Sequence, residues 1–321
     1  MMGKAMKIWL IIAIALVVVG AGVFTAALAA CGWDFSKLST VQFETNTYSG
    51  TDRITGIRVD TDTADIRFAP SEDGQWKVVC HEAEKMNHTV SVKDGILTIK
   101  VVDEREWYDH IGIWIGSETV TIYLPEQEYA SLVIRESTGD VEVPKAFRFG
   151  TIDINVSTGA VRNYASATGV IKITASTGDI HVEDVSAASM ELSVTTGHVT
   201  GRGLTCEGKL SVGVSTGDAQ LTDVKCENFT SDGSTGDIVL KDVIATGKMS
   251  IDRSTGDVKF DACDAAEILV ETSTGNVTGS LRSDKIFIAR ASTGDVDVPA
   301  TTSGGKCQIT TSTGDIRIRI D

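Results

Sequence analysis

Beyond residue 130, apolar and polar residues alternate with the two-residue period of a β-strand, and the alternating segments recur every 19 or 20 residues. Each segment leads into a Thr-Gly pair, which in most copies is part of the motif Ser-Thr-Gly-Asp. Apolar residues stand seven positions before and two positions after each of these glycines. The ten glycines are Gly139, Gly159, Gly178, Gly197, Gly217, Gly236, Gly256, Gly275, Gly294 and Gly314. The pattern predicts two short strands per unit, joined by the motif as a turn, and a second turn that leads to the next unit.

A unit of this length cannot bury its own apolar face, whereas stacked units share a continuous core. It also leaves no room for a helix between parallel strands. We therefore predict an all-β fold in which residues 131–321 form a parallel β-helix, or solenoid, of about ten coils. Each strand is expected to pair with its equivalent one coil away, and the general preference for right-handed crossovers favours a right-handed coil.

The turn motif has two interpretations. In the first, the glycines are structural residues that adopt a positive φ, and the Ser, Thr and Asp side chains satisfy nearby backbone donors. In the second, the stacked carboxylates of Asp218, Asp237 and Asp257 bind a cation such as Ca²⁺, which would relieve their mutual repulsion. The sequence favours the first interpretation, because the Gly-Gly-x-Gly-x-Asp pattern of calcium-binding β-rolls is absent. No other cofactor is expected.

Residues 39–130 are predicted to form a β cap on the end of the solenoid. The Asp94-Gly95 pair between two alternating segments is a hairpin signal. Thr63-Ala64-Asp65-Ile66 resembles the repeat units. Residues 103–117 contain Trp107 and Trp114 in a charged stretch, as a binding loop would, but their alternation with isoleucine favours a long hairpin tip packed on the cap.

Residues 8–30 carry no charged side chain, and this apolar segment is long enough for a transmembrane helix. Lys4 and Lys7 precede this segment, so residues 1–7 are expected in the cytoplasm and everything after the anchor outside. Residues 31–38 would then be a juxtamembrane linker. Two alternatives remain open. Leu28-Ala29-Ala30-Cys31 resembles a lipobox, which would make the protein a lipoprotein attached at Cys31, or the segment could be a signal peptide of a secreted protein.

Charge and motif content exclude several classes of function. The net charge of −15 argues against a nucleic-acid partner, which needs a basic face. The histidines show no metal-ligand spacing, and the acidic residues that recur do so in nearly every unit, whereas a catalytic pair would be an irregularity. We therefore expect no enzymatic activity. Cys206 and Cys226 occupy equivalent positions in adjacent coils and are expected to be either buried thiols or a disulfide.

The segment Ile122-Tyr123-Leu124-Pro125 followed by serial Ser-Thr-Gly-Asp units resembles the bacterial "putative adhesin" family with β-strand repeats, domain of unknown function 4097. The resemblance covers about residues 40–321. It implies a membrane-tethered protein of the cell envelope and supplies no catalytic residue. Two functions fit. One is a surface scaffold or adhesin that binds protein or glycan, and the other is a sensor or regulatory module of an envelope-stress system that acts on a partner in the same membrane.

The last strand signal, Ile316-Arg317-Ile318-Arg319-Ile320, directly precedes the final residue. It is therefore expected to form the open edge of the stack. Arg317 and Arg319 would alternate outward there and hinder pairing with other chains. The same edge could instead dock a strand of a partner.

Overall fold

The computed structural model describes residues 4–30, 32–33, 41–107 and 116–321. It contains one α-helix, α1 (Lys4–Ala30), followed by β-strands. One helix, over Met6–Ala30, is long and apolar enough to cross a membrane, and none of its most apolar 18-residue window is buried against the rest of the chain. The proposed lipidation site Cys31, most of the linker 31–38 and the stretch that contains Trp114 lie outside the described residues.

The first seven strands belong to the cap region. They are β1 (Phe43–Gly50), β2 (Gly56–Thr63), β3 (Asp65–Pro70), β4 (Trp76–Ala83), β5 (Met86–Lys93), β6 (Ile96–Asp103) and β7 (Thr119–Leu124). The predicted hairpin is present between β5 and β6, where Lys93 pairs with Ile96 and both Asp94 and Gly95 have positive φ.

The repeat units supply the remaining strands. The first are β8 (Glu128–Thr138), β9 (Val141–Val143), β10 (Arg148–Thr158), β11 (Val161–Asn163), β12 (Ser166–Ala167), β13 (Val170–Thr177), β14 (Ile180–Glu183), β15 (Ser186–Ala187), β16 (Ser189–Thr196), β17 (Val199–Cys206), β18 (Lys209–Thr216), β19 (Ala219–Cys226) and β20 (Asn228–Thr235). The last are β21 (Ile238–Thr255), β22 (Val258–Thr274), β23 (Val277–Leu281), β24 (Lys285–Thr293), β25 (Val296–Asp297), β26 (Gly305–Thr313) and β27 (Ile316–Ile320). β21 and β22 are long because each continues around a corner of the coil.

The coils stack in parallel and in register. In β13, Ile171 lies beside Ile152 of the preceding coil and Met190 of the next one. The three side chains are buried and belong to one apolar cluster that extends from Ile54 to Ile318. The predicted parallel β-solenoid of about ten coils is therefore confirmed.

Each coil also has a short segment that the alternation did not predict. It lies about nine residues after the turn glycine, where Ser166-Ala167 pairs with Arg148-Phe149 of the preceding coil. From Ala167 onward the inward position of this segment holds small residues, namely Ala167, Ala187, Cys206, Cys226, Ala245 and Ala265. At the N-terminal coils the same inward position holds the buried rings of Tyr129 and Phe149.

At the N-terminal end, the order of the coils differs from the order of the chain. β2 lies between β6 and β8, and β3 lies between β7 and β9. The coil formed by β2 and β3 is therefore part of the stack, and Thr63 pairs with Thr138 of the first repeat unit. Outside this stack, β5 pairs antiparallel with β6, β4 with β7, and β1 with β4. These three strands cover the end, and the buried ring of Trp76 packs against Gly50 there.

The C-terminal end shows the same inversion. β26 lies between β22 and β24, and β27 lies between β23 and β25. The prediction that residues 316–320 form the open edge is therefore wrong for Ile316 and Arg317, which β25 covers, whereas residues 318–320 pair with β23 alone among the described strands. The role predicted for Arg317 as a guard of that edge loses its basis, and the role predicted for Arg319 stays a prediction. The outermost coil is the preceding one, formed by β24 and β25.

Candidate functional site

The Thr-Gly turns of successive coils stack into one ridge along the solenoid, which we call the turn ridge. All ten turn glycines have positive φ, between 122° and 157°. At Gly256, φ is 142°, and an added Cβ would lie 2.0 Å from the carbonyl oxygen of Gly236 in the neighbouring coil. Both the backbone conformation and the contact with the next coil thus require glycine at this position.

The aspartates of the turn ridge bind the backbone of the next coil. The Oδ1 atom of Asp237 accepts a hydrogen bond of 2.8 Å from the backbone N–H of Asp257, whose own Oδ1 accepts one of 2.7 Å from Asn276. The same bond links Asp218 to Asp237 at 2.8 Å. In the same way, Oδ1 of Asn276 accepts a hydrogen bond from the backbone N–H of Asp315. Asp315 belongs to the coil that is next to Asn276 in space but not in sequence. An acceptor oxygen, which Asp and Asn both provide, explains why either residue occurs here.

These bonds bear on the cation interpretation of Asp218, Asp237 and Asp257. One oxygen of each carboxylate is already satisfied by a backbone donor. Among the described residues, one group of three His, Cys, Asp or Glu side chains has its ligand atoms within 4.8 Å of one another, and it lies in the cap, not on the turn ridge. A Ca²⁺ ladder at the three aspartates stays a prediction, and the hydrogen bonds explain the residues without it.

Cys206 and Cys226 occupy the small-residue position of adjacent coils, since Thr205 pairs with Lys225. Both are buried free thiols. Burial raises the pKa of Cys206 to about 12 and that of Cys226 to about 11, so both thiols stay protonated at neutral pH. Neither has the low pKa that a reactive cysteine requires.

Two buried carboxyl groups with raised pKa values lie at the N-terminal end, where none was predicted from the sequence. Glu136 is 4% exposed and accepts hydrogen bonds from the Thr61 hydroxyl and from the backbone N–H groups of Ala64 and Thr138. Burial raises its pKa to about 8, and burial raises the pKa of Glu118 to about 7. Glu136 stands three positions before its turn glycine, where Val156 and Val194 stand in other coils. A glutamate at an inward position that is apolar in other coils was the sign, visible in the sequence, of a buried carboxyl group.

The outermost strand at the C-terminal end has an open edge with apolar side chains. Among the described strands, β24 pairs with β26 alone, so its other edge has no strand partner. Ile286 and Ile288 of β24 are 46% and 41% exposed, and Val296 of β25 is 44% exposed. Most inner coils hold a polar residue at the equivalent outward positions, such as Lys172 of β13, although Val170 of the same strand is also 46% exposed. We call residues 286–293 of β24 the open edge.

The chain is similar to a protein family and to several solved structures. The model of the family "Toastrack DUF4097" matches residues 54–218 and 206–321. No curated protein is detectably similar. Among solved structures, a "putative adhesin" from Parabacteroides distasonis is 14% identical, with a TM-score of 0.48, and the match covers 75% of this chain and 98% of that one.

Two further "putative adhesin" structures are similar. The protein from Bacteroides fragilis is 14% identical with a TM-score of 0.39, and that from Parabacteroides merdae is 11% identical with a TM-score of 0.44. Each match covers 87% of this chain and 97% of the other. Because the family match extends from Ile54 to the last residue, it includes the cap strands from β2 onward as well as the repeat units. The chain belongs to the Toastrack DUF4097 family.

Proposed function

We propose that this protein is a membrane-anchored, extracytoplasmic scaffold or adhesin, and that its solenoid binds a protein or glycan partner at the open edge of β24. No enzymatic step is part of the proposal. The observation that carries it is the difference between the two ends, since antiparallel strands cover one end and the other exposes a strand edge flanked by isoleucine.

The anchor is supported by the exposure of α1. Its large apolar side chains from Met6 to Phe24 are 43% to 71% exposed, and the solenoid core is complete without them. A helix of 25 residues is long enough for a hydrocarbon core of about 30 Å. The lysines before residue 8 favour a cytoplasmic N-terminus, with the solenoid on the other side of the membrane.

The open edge is suited to strand addition. Unpaired backbone N–H and C=O groups of an edge strand bind an extended segment of another chain, and side chains beside them set the specificity. In β24 the inward residues Phe287 and Ala289 hold the strand on the core, while Ile286 and Ile288 point outward. A partner strand would thus find both backbone groups and apolar surface.

The test compares binding by cells that display the full chain. Beads coated with single glycans or single envelope and matrix proteins serve as probes. The double variant Ile286→Lys/Ile288→Lys places two charges on the open edge and should abolish binding to the probe that the wild type captures. Val170→Lys is the matched control, because Val170 is 46% exposed on an inner strand that is paired on both sides. Equal binding by the wild type and the double variant, or binding to no probe, would contradict the proposal.

The anchor is tested separately by the mass of the protein extracted from membranes. A retained helix gives the mass of the uncleaved chain. A chain that begins at a lipid-modified Cys31 would establish the lipoprotein alternative, and a chain found only in the medium would establish secretion.

The second candidate function, a regulatory module that acts on a partner in the same membrane, is favoured by the buried carboxyls Glu118 and Glu136. Their raised pKa values, about 7 and about 8, place a change of charge near neutral pH, and strongly perturbed pKa values mark candidate functional groups. Crosslinking of the full chain in membranes at pH 5.5 and pH 8 tests it. A single membrane-protein partner captured at only one pH would support this function, and its absence at both would support the adhesin.

A further inference from the structure

The cap contains a buried cluster of three chemically different side chains. Along β4, the alternation that buries Trp76 and Val78 also buries Cys80 and Glu82. β4 belongs to the sheet that contains β7, and β5 belongs to the sheet that contains β6. The chain crosses between these sheets at residues 84–85 and places His88 of β5 on the inner side as well.

The three side chains converge in the space between the sheets. One ligand atom from each of Cys80, Glu82 and His88 lies within 4.8 Å of those of the other two. The residues are 0%, 0% and 1% exposed. The His88 Nδ1 atom lies 2.6 Å from Oε2 of Glu82.

The polar groups around the cluster are arranged to hold Glu82. Its Oε1 accepts a hydrogen bond of 2.7 Å from the Asn46 side-chain amide, and its Oε2 accepts one of 2.6 Å from the backbone N–H of His88. By contrast, the buried Nε2 atom of His88 has no hydrogen-bond partner among the described residues. A cluster that served only as a hydrogen-bond network would be expected to satisfy both ring nitrogens.

We propose that Cys80, Glu82 and His88 form a binding site for a divalent, thiolate-preferring metal ion of the Zn²⁺ class. Thiolate, imidazole and carboxylate are the three side-chain ligands that Zn²⁺ takes in proteins. The unpartnered Nε2 atom of His88 is the ring nitrogen that would bind the ion, so that Nδ1 could keep its hydrogen bond to Glu82. As the metal–sulfur bond forms, the thiol proton of Cys80 leaves for solvent. Three protein ligands leave the fourth tetrahedral position to a water molecule.

Such an ion would join the two sheets at the end of the solenoid that follows α1 in the chain. β4 and β5 pair with different neighbours, and the cluster connects them by side chains. Bonds from one ion to Cys80 and Glu82 of β4 and to His88 of β5 would fasten the cap. This role is independent of the proposed binding at β24.

The test is a titration of the full chain, purified in detergent and freed of metal with a chelator. Co²⁺ is the first probe, because its thiolate complexes absorb in the near ultraviolet, and Zn²⁺ is then added to displace it. The wild type should bind one equivalent and show the thiolate band. Cys80→Ala should lose the band and weaken Zn²⁺ binding by more than the roughly 10–100-fold that loss of an outer hydrogen-bond partner of a ligand costs. Cys263→Ala is the matched control, since Cys263 is an equally buried thiol in the solenoid core.

A second variant keeps the test decisive if Cys80→Ala does not fold. Asn46→Ala leaves all three ligands in place and removes only the amide that orients Glu82, so Zn²⁺ should bind about 10–100-fold more weakly while the Co²⁺ band persists. Folding of each variant is checked by circular dichroism. A wild type that stays metal-free and shows no thiolate band, or equal Zn²⁺ affinity in the wild type and a folded Cys80→Ala variant, would overturn the proposal.

Discussion

The two ends of the solenoid share an inverted order of coils and differ in whether the outermost coil is covered. At both ends a coil near the chain terminus lies inside the stack, so that β2 lies between β6 and β8, and β26 between β22 and β24. At the N-terminal end, β1, β4 and β5 then cover the outermost coil. At the C-terminal end, no described strand covers β24.

This difference indicates that the ends have different tasks. An uncovered edge strand favours association with other chains, and proteins usually cover it or place charges on it. The N-terminal end is covered and contains the buried carboxyls and the Cys80–Glu82–His88 cluster. The C-terminal end exposes Ile286 and Ile288. We infer that the first end stabilises the molecule and that the second end binds.

The largest expected effect contrasts an inner turn with the outermost one. Gly256→Ala forces a Cβ against Gly236 at positive φ, with further coils on both sides, and should destabilise the fold by about 3 kcal/mol or more. Gly294→Ala meets the same kind of contact, 2.1 Å from the carbonyl oxygen of Gly314. Because Gly294 is in the outermost coil, that coil can move away, and the cost should be about 1 kcal/mol. Urea unfolding measures both, and equal costs would contradict the assignment of the outermost coil.

The second prediction concerns pH and should depend on the N-terminal end alone. The pKa values of Glu118 and Glu136 are raised in the folded protein, so each group keeps its proton up to a higher pH in the folded than in the unfolded state. Their stabilising effect is complete below about pH 4.5 and is lost as the pH rises to about 8. The thermal midpoint should therefore fall by several degrees between pH 5 and pH 8.

Glu136→Gln keeps an acceptor oxygen and should remove about half of this pH dependence. The exposed Glu142, on the next strand of the same coil, provides the control, and Glu142→Gln should leave the dependence unchanged. An unchanged pH dependence in Glu136→Gln would exclude Glu136 as its source.

The smallest expected effect concerns the turn ridge. Asp237→Ala removes the acceptor for the backbone N–H of Asp257 and should cost about 1 kcal/mol. Asp237→Asn keeps an oxygen in the same place and should cost less, as Asn276 does the same in the wild type. Thermal unfolding with and without Ca²⁺ separates this explanation from a cation ladder. A Ca²⁺-dependent rise of the midpoint that is lost in Asp237→Asn would favour the ladder.

The repeating part of the fold was predictable because each coil has the same physical requirements. Inward positions such as Ile171 and Ile173 must be apolar, and the glycine must avoid the backbone of the next coil. These requirements appear as columns in the sequence and predict strands, turns and parallel stacking. The short third segment was not predicted, since two residues such as Ser166 and Ala167 are too few to show an alternation.

The order of the coils at the ends was not predictable from these columns. Gly314 and Gly294 present the same backbone to a neighbour, so either could follow Gly275 in the stack. The available signal was weaker, namely isoleucine at both outward positions 286 and 288, where most inner coils hold polar residues. The cluster in the cap was missed for a different reason. The alternation along β4 places Cys80 and Glu82 on the inward side, but only the path of β5 brings His88 beside them.

The measurement that tests the inverted C-terminal end most directly is native-state hydrogen exchange of the full chain. β26 is paired on both sides, whereas β24 is paired on one side, although it comes earlier in the chain. Amides at 286–292 should therefore exchange about tenfold or more faster than those at 306–312. Faster exchange at 306–312 than at 286–292 would show that the chain stacks in sequence order, and the open edge of β24 would not exist.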